Sequence, residues 1–191
     1  MSFRTEIKIK IEPFMESHFF KWLSINNGME IYSKRRVTSI YFDNDKLESY
    51  NDSIEGTVPR KKIRLRTYNE FKFNEFQKVL LEKKISSIEG RYKTSIQISN
   101  YMKLINNGVY ENNYGIMKPI IKVNYLRSYY KCKNFRFTLD KDINYSTVKI
   151  TPDSYKFHDK KIVLELKSTS LHDFDKFLDE NQFKKTRFSK Y

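Results

Sequence analysis

The chain has 191 residues, with 37 Lys plus Arg against 23 Asp plus Glu, a formal net charge of +14 and a pI near 9.6. That length suits one domain with a sizeable core, and the charge implies an anionic partner: nucleic acid, phosphorylated small molecules, polyphosphate or an acidic membrane surface. A lone Cys132 excludes a disulfide framework or a cysteine metal cluster, and His18, His158 and His172 make no ligand spacing.

In chain order, residues 3–11 alternate polar and apolar and predict a strand. The start has no apolar leader region, and no apolar run approaches the ~20 residues that span a bilayer, so a soluble, cytoplasmic protein is expected. Residues 17–26 carry Phe19, Phe20, Trp22 and Leu23 at helical spacing, and Asn27-Gly28 closes that helix. Core packing is the expected role of this aromatic stripe. Residues 35–42 predict a strand and 46–53 a short helix before Gly56. Residues 60–68, 77–85 and 91–98 predict three strands, and 99–107 a helix ending at Gly108. A long strand over 118–130 pairs with 135–145 as a hairpin, and 160–167 is the last strand. Residues 170–180 form the last helix, with Leu171, Phe174, Phe177 and Leu178 on one face. About eight strands with roughly three or four helices argue α+β with a mostly antiparallel sheet.

The polar strand faces carry the functional signal. Arg60, Lys62, Arg64 and Arg66 share one face of their strand, opposite Ile63 and Leu65. Glu6, Lys8 and Lys10 oppose Ile7, Ile9 and Ile11, and Arg136, Thr138 and Asp140 oppose Phe135, Phe137 and Leu139. Glu82 with Lys84, Arg91 with Lys93, and Glu165 with Lys167 repeat the theme. One such face is ordinarily just solvated. A sheet closed into a barrel would instead turn all of them inward, giving a charged tunnel with helices packed outside. The absence of alanine beside abundant Lys, Asn and Ile marks AT-rich coding, so part of the lysine excess is compositional. Arginine is more telling. Arg60, Arg64, Arg66, Arg91, Arg127 and Arg136 all fall in expected strands, where a forked guanidinium suits phosphate.

These stretches, in order, resemble one family. FRTEIKIKI, RVTSIYFDNDKLESYNDSIEG, RKKIRLRTY, LLEKK, KPIIKVNYLRSYY, FRFTLDKDI, IVLELK and RFSKY are similar to the VTC domain of polyphosphate polymerases. That domain belongs to the triphosphate tunnel metalloenzyme (CYTH-like) superfamily. The resemblance spans the chain as a single domain. It implies a tunnel that binds ATP or another triphosphate through its phosphates and moves the terminal phosphoryl group onto inorganic polyphosphate. By the same resemblance Lys8, Arg64, Arg66, Lys84, Lys93, Arg127, Arg136 and Lys190 are phosphate ligands, with Lys8, Arg64, Arg66 and Arg127 closest to the chemistry. Glu165 matches a metal-binding glutamate for Mn²⁺ or Mg²⁺, Lys167 is a further phosphate contact, and Lys62, on the alternating cationic face of 60–66, is expected to bind phosphate as well. Eukaryotic relatives attach this domain to membrane helices, and a membrane partner that accepts the polymer, holding the protein at the inner membrane surface, stays open.

Phosphoryl transfer asks the protein for alignment and charge neutralisation, and a polyphosphate end is its own nucleophile. That agrees with the lack of a His/Asp or Ser/His constellation. Hydrolytic and cyclase relatives typically carry Glu-x-Glu-x-Lys on the first strand, whereas this chain has Glu6-Ile7-Lys8-Ile9-Lys10. The remaining candidate acids are Glu82, Asp140 and Glu165. Glu6 and Glu82 are read as salt-bridge partners holding Lys8 and Lys84, and Tyr41 and Asp43 as packing residues. Two rivals stay open: a metal-dependent triphosphatase of the same fold, and a polyphosphate- or RNA-binding module without turnover. Nucleic acid is disfavoured because most aromatics are expected on faces opposite the cations.

Overall fold

A computed structural model describes residues 5–71, 78–148 and 154–191. Expectations for residues 3, 4 and 77, and for the Leu171 side chain, lie outside the described residues. The strands are β1 (Thr5–Ile11), β2 (Met29–Asp43), β3 (Arg60–Thr67), β4 (Val79–Ser87), β5 (Gly90–Ile98), β6 (Val109–Glu111), β7 (Gly115–Cys132), β8 (Phe135–Thr147), β9 (Lys156–Asp159) and β10 (Ile162–Ser168). The helices are α1 (Glu16–Ile25), α2 (Glu48–Glu55), α3 (Tyr101–Asn107) and α4 (Leu171–Asn181), with a 3₁₀ turn at Pro13–Met15. Hydrogen bonds order the strands β1-β10-β8-β7-β2-β3-β4-β5, with β6 on β7 and β9 on β8. The registered pairs β1–β10, β10–β8, β2–β3, β3–β4, β4–β5 and β6–β7 are antiparallel. The α+β, antiparallel expectation therefore holds. No described helix is long and apolar enough to cross a membrane.

The described residues cluster into two compact units, and β2, β7, β8 and β9 contribute residues to both. In the first unit, Ile7, Ile9 and Ile11 of β1 join Ile162, Leu164 and Leu166 of β10 and Phe135, Phe137 and Leu139 of β8 in one core. Phe19 and Leu23 of α1, four apart and so on one helical face, and Phe174 and Phe177 of α4 cover that core. Trp22 packs edge-on against Phe137 and Phe177 and donates its Nε1 hydrogen to Glu180 at 2.7 Å, a core residue as expected. Gly28 stops α1 because its amide closes on Leu23 O at 2.7 Å, where an added Cβ would meet Leu23 Cδ1 at 2.2 Å.

In the second unit, Ile40 and Phe42 of β2, Ile63 and Leu65 of β3 and Val79 of β4 form a core with Tyr101 and Ile105 of α3. Asp43 at the end of β2 is fully buried, and its carboxylate accepts from the amides of Ser49 and Tyr50 in the first turn of α2. It is a helix cap, the packing role expected of it.

Several boundaries differ from expectation. β2 begins at Met29, not at residue 35, because the mostly exposed stretch MEIYSK lacks a clean alternation. α2 runs two residues later than 46–53, where Asp43 and Asn44 supply its cap. β6 and β9 are too short to leave a pattern, so the described residues contain ten strands against about eight expected.

Candidate functional site

Each unit carries a charged sheet face opposite its core. In the first unit the register sets Glu6 against Lys167 and Lys8 against Glu165, and then Glu165 against Thr138 and Lys167 against Arg136. Registered partners share a face, so two glutamates and three predicted cations lie together there. Lys167 Nζ sits 3.0 Å from Glu165 Oε1 and 3.4 Å from Glu6 Oε2. Lys8 Nζ lies 3.9 Å from Glu6 Oε1 and donates to Phe188 O at 3.2 Å. Arg136 is the exposed cation of the group.

Asp140 organises the other end of this face. Arg127 donates to it through Nε at 2.5 Å and Nη2 at 2.7 Å, a two-pronged pair, and Lys190 Nζ donates to Oδ2 at 2.6 Å. Burial pushes the Asp140 carboxyl up, but the Lys190 and Arg127 charges overcome this and hold it at about 2. For Glu165 burial likewise raises the pKa, and Arg127, Lys167 and Lys8 bring it below the ordinary carboxylate range.

The second unit presents the more basic face. Lys62 on β3 registers with Lys84 on β4, which registers with Lys93 on β5. One step along, Arg64 registers with both Tyr41 and Glu82, and Arg66 with Ser39. Arg64 donates to Glu82 Oε2 through Nε at 2.7 Å and to the Tyr41 hydroxyl through Nη1 at 3.0 Å. Arg66 Nη1 lies 3.5 Å from the same Glu82 oxygen, and Lys93 pairs with Glu82 Oε1. Lys62 Nζ donates to Tyr191 O at 2.6 Å, and Tyr191 stacks on Tyr41 with centroids 5.0 Å apart and planes 8° from parallel. The Tyr191 hydroxyl donates to the Asp43 carboxylate.

Nine of the eleven sequence-predicted residues fall on charged sheet faces by register, Lys8, Arg136, Glu165 and Lys167 in one unit and Lys62, Arg64, Arg66, Lys84 and Lys93 in the other, while Arg127 and Lys190 join the first unit's group through Asp140. Glu6 is the salt-bridge partner expected for Lys8, while Glu82 gathers Arg64, Arg66 and Lys93. Phe19, Phe135, Phe137, Phe174 and Phe177 pack in the core, away from the cations as expected of most aromatics, but Tyr125 and Tyr41 lie among the cations. Arg127 and Lys190 lie 5.2 and 4.6 Å from the Tyr125 ring centroid, and Arg64 5.7 Å from that of Tyr41. Tyr125 and Arg127 are two apart on β7, a period-two signal that would have placed them on one face. Tyr191 gave no signal, because its partners Tyr41 and Asp43 lie far back in the chain.

A metal site is judged on its donors. The described residues contain no group of three or more His, Cys, Asp or Glu able to cage an ion. Glu165 offers one largely buried carboxylate, and the hydroxyl of Thr138, its registered neighbour, is buried without a hydrogen-bond partner. This sparse all-oxygen set fits a hard divalent ion that keeps waters and takes its other ligands from phosphates.

The acids also fix an acid-pH expectation. Burial raises the Glu82 carboxyl, and Arg64, Arg66 and Lys93 bring it from 4.5 down to about 2. A depressed carboxylate stabilises the fold fully above about pH 4.5 and loses that contribution as pH falls toward 2. At ~1.4 kcal/mol per pKa unit, Glu82 contributes about 3 kcal/mol. Urea unfolding should show stability falling between pH 5 and pH 3, with a shallower fall in Glu82→Gln; equal slopes would contradict the assignment.

These faces, a basic ladder in one unit and a buried carboxylate among cations in the other, define an antiparallel α+β protein with charged sheet faces. The VTC domain family matches residues 3–191, so the chain belongs to that family. No curated protein sequence matches the chain significantly. Among solved structures, it is similar to an adenylate cyclase-like protein from Vibrio parahaemolyticus at 13% identity and TM-score 0.57, over 99% of this chain and 95% of that one. It is also similar to an adenylyl cyclase-like protein from Hippeastrum with a dominant triphosphatase activity, at 14% identity and TM-score 0.56, over 97% of this chain and 91% of that one. At these identities the likeness is one of fold.

Proposed function

We propose that the chain is a divalent-metal-dependent enzyme acting on triphosphates, and specifically a polyphosphate polymerase. It transfers the terminal phosphoryl group of ATP to the end of an inorganic polyphosphate chain and releases ADP. The observation that carries this reading is the face on β3, β4 and β5, where Lys62, Arg64, Arg66, Lys84 and Lys93 surround the single buried carboxylate of Glu82. Such a surface suits linked phosphates and supplies no nucleophile of its own. Closure of the sheet into a tunnel barrel is part of the proposal.

In the transfer, the bond between the terminal phosphorus of ATP and the β–γ bridging oxygen breaks. A terminal oxygen of the acceptor chain forms the new bond, and ADP leaves with the bridging oxygen. The residues' task is charge neutralisation: Arg64 and Arg66 offer forked donors held by Glu82, Tyr41 and Ser39, and Lys62, Lys84 and Lys93 offer point charges. In the other unit Lys8, Lys167, Arg127, Arg136 and Lys190 do the same around Glu165 and Asp140. Mg²⁺ or Mn²⁺ bound by Glu165 would neutralise phosphate charge as the bond breaks. The acceptor is already anionic, so no general base is needed.

Metal-titrated turnover of ATP with a short polyphosphate primer tests this reading. Glu165→Gln should raise the metal concentration needed for half-maximal ADP release by about tenfold or more. An unchanged metal requirement removes Glu165 from the metal site. A triphosphatase is the second reading, favoured by the three acids Glu6, Asp140 and Glu165 on the first unit's face; it would release orthophosphate without chain growth.

A further inference from the structure

We infer that Phe188 is a positioning residue that holds three lysines of the first unit in place for a triphosphate ligand. The inference rests on the proposed reading of that unit's charged face as a phosphate site. Phe188 lies on the segment that follows α4 and is half-buried. Among the described residues it neither builds the apolar core of its unit nor packs against it, so core burial does not account for a phenylalanine there. Three lysines meet it instead. Lys8 Nζ donates to its carbonyl oxygen at 3.2 Å, and Nζ of Lys10 and of Lys190 lies 5.2 and 5.4 Å from its ring centroid. Thr186 fixes the approach of the segment to β1. Its amide donates to Lys8 O at 2.8 Å, and its hydroxyl accepts from the Lys10 amide at 2.9 Å.

The hold that Phe188 exerts differs in kind from an ion pair. Each lysine also has a carboxylate within reach: Glu6 at 3.9 Å for Lys8, Asp159 at 2.7 Å for Lys10 and Asp140 at 2.6 Å for Lys190. A carboxylate orients an ammonium and offsets its charge in the same act. A ring face and a carbonyl oxygen attract the ammonium through a quadrupole and a dipole, and they bring no net negative charge. Phe188 therefore orients its lysines without neutralising them. The side chains of Lys8 and Lys10 stay 27% and 29% exposed, so an anion reaches them where they stand. A lysine ordered in advance spares the ligand that ordering cost on binding. Removing the ring returns no charge to the site, because the ring took none, so its loss should weaken anion binding.

The test is isothermal titration of the purified chain with tripolyphosphate at one ionic strength. Phe188→Leu should weaken binding by about fivefold, the scale of two modest ring–ammonium contacts, and Phe188→Tyr, which keeps a ring face, by less than about twofold. Phenylalanine analogues carrying one, two and three ring fluorines at position 188 keep the ring's shape while draining its π face. Affinity should fall stepwise along that series, a response that packing alone does not give. The series also decides the matter if Phe188→Leu does not fold. Tripolyphosphate affinity that stays level across the fluorinated series, or rises, overturns the inference while leaving the phosphate site standing. Failure of the wild type to bind tripolyphosphate at all overturns the phosphate-site reading, and the inference with it.

Discussion

Arg64→Ala should lower kcat/KM for a triphosphate substrate by about 10²- to 10³-fold, the cost of removing one fixed donor to a developing anionic charge. Three features make Arg64 the most sensitive position on the β3 ladder. Its guanidinium is held on both sides, by Glu82 on β4 and by the Tyr41 hydroxyl on β2, so its orientation is fixed. Its side chain is 22% exposed, enough to present an edge to a ligand without being fully solvated. It also lies between Lys62 and Arg66 on the same strand face, so its loss breaks the row at its middle. Arg64→Lys should recover little, because an ammonium cannot serve Glu82, Tyr41 and phosphate in one plane. Steady-state kinetics beside a thermal melt separates the effects: Glu82 keeps Arg66 and Lys93, so the variant should fold. Activity within threefold of wild type would remove this ladder from the reaction.

The largest stability loss is expected at Asp140. It is 0% exposed and neutralises both Arg127 and Lys190, and burial opposes the charge on Arg127, which Tyr125, Asp140 and Glu165 sustain. Asp140→Asn keeps the volume and removes the charge, leaving two cations without their counter-ion. Breaking a buried pair from one side typically costs about 3–5 kcal/mol. For a chain of this size that is a fall of roughly 10 °C in Tm. A second substitution should show the origin of the loss. Adding Arg127→Met to Asp140→Asn removes the uncompensated guanidinium, and the double variant should unfold at a higher urea concentration than Asp140→Asn alone. Additive losses would mean that Asp140 acts through something other than charge.

These effects were unevenly legible in the sequence. The alternation Glu6-Ile7-Lys8-Ile9-Lys10 and its counterpart Lys62-Ile63-Arg64-Leu65-Arg66 set the two faces directly, because a strand sends successive side chains to opposite sides. All eleven candidate residues were reachable from such alternation together with the family resemblance. Partnership was not reachable, since register across strands depends on pairing between distant segments. Glu82 is two residues from Lys84 in sequence, yet it gathers Arg64 and Arg66 from β3 and Lys93 from β5. Asp140 looked like a candidate ligand acid but is occupied by Arg127 and Lys190. The Tyr41–Tyr191 stack joins residues far apart in the chain, and no local pattern announces it. The first part of β2, with β6 and β9, went unread because mostly exposed or three- to four-residue strands carry little periodicity.

The most direct test of the central claim follows the terminal phosphorus itself. ATP labelled at its terminal phosphate is incubated with the purified chain, Mn²⁺ or Mg²⁺ and a short polyphosphate primer, and the label is located by gel. Label is expected in a lengthening polyphosphate ladder, with ADP formed in step and both lost in Arg64→Ala. Label appearing only as orthophosphate, with the primer unchanged in length, would contradict the polymerase.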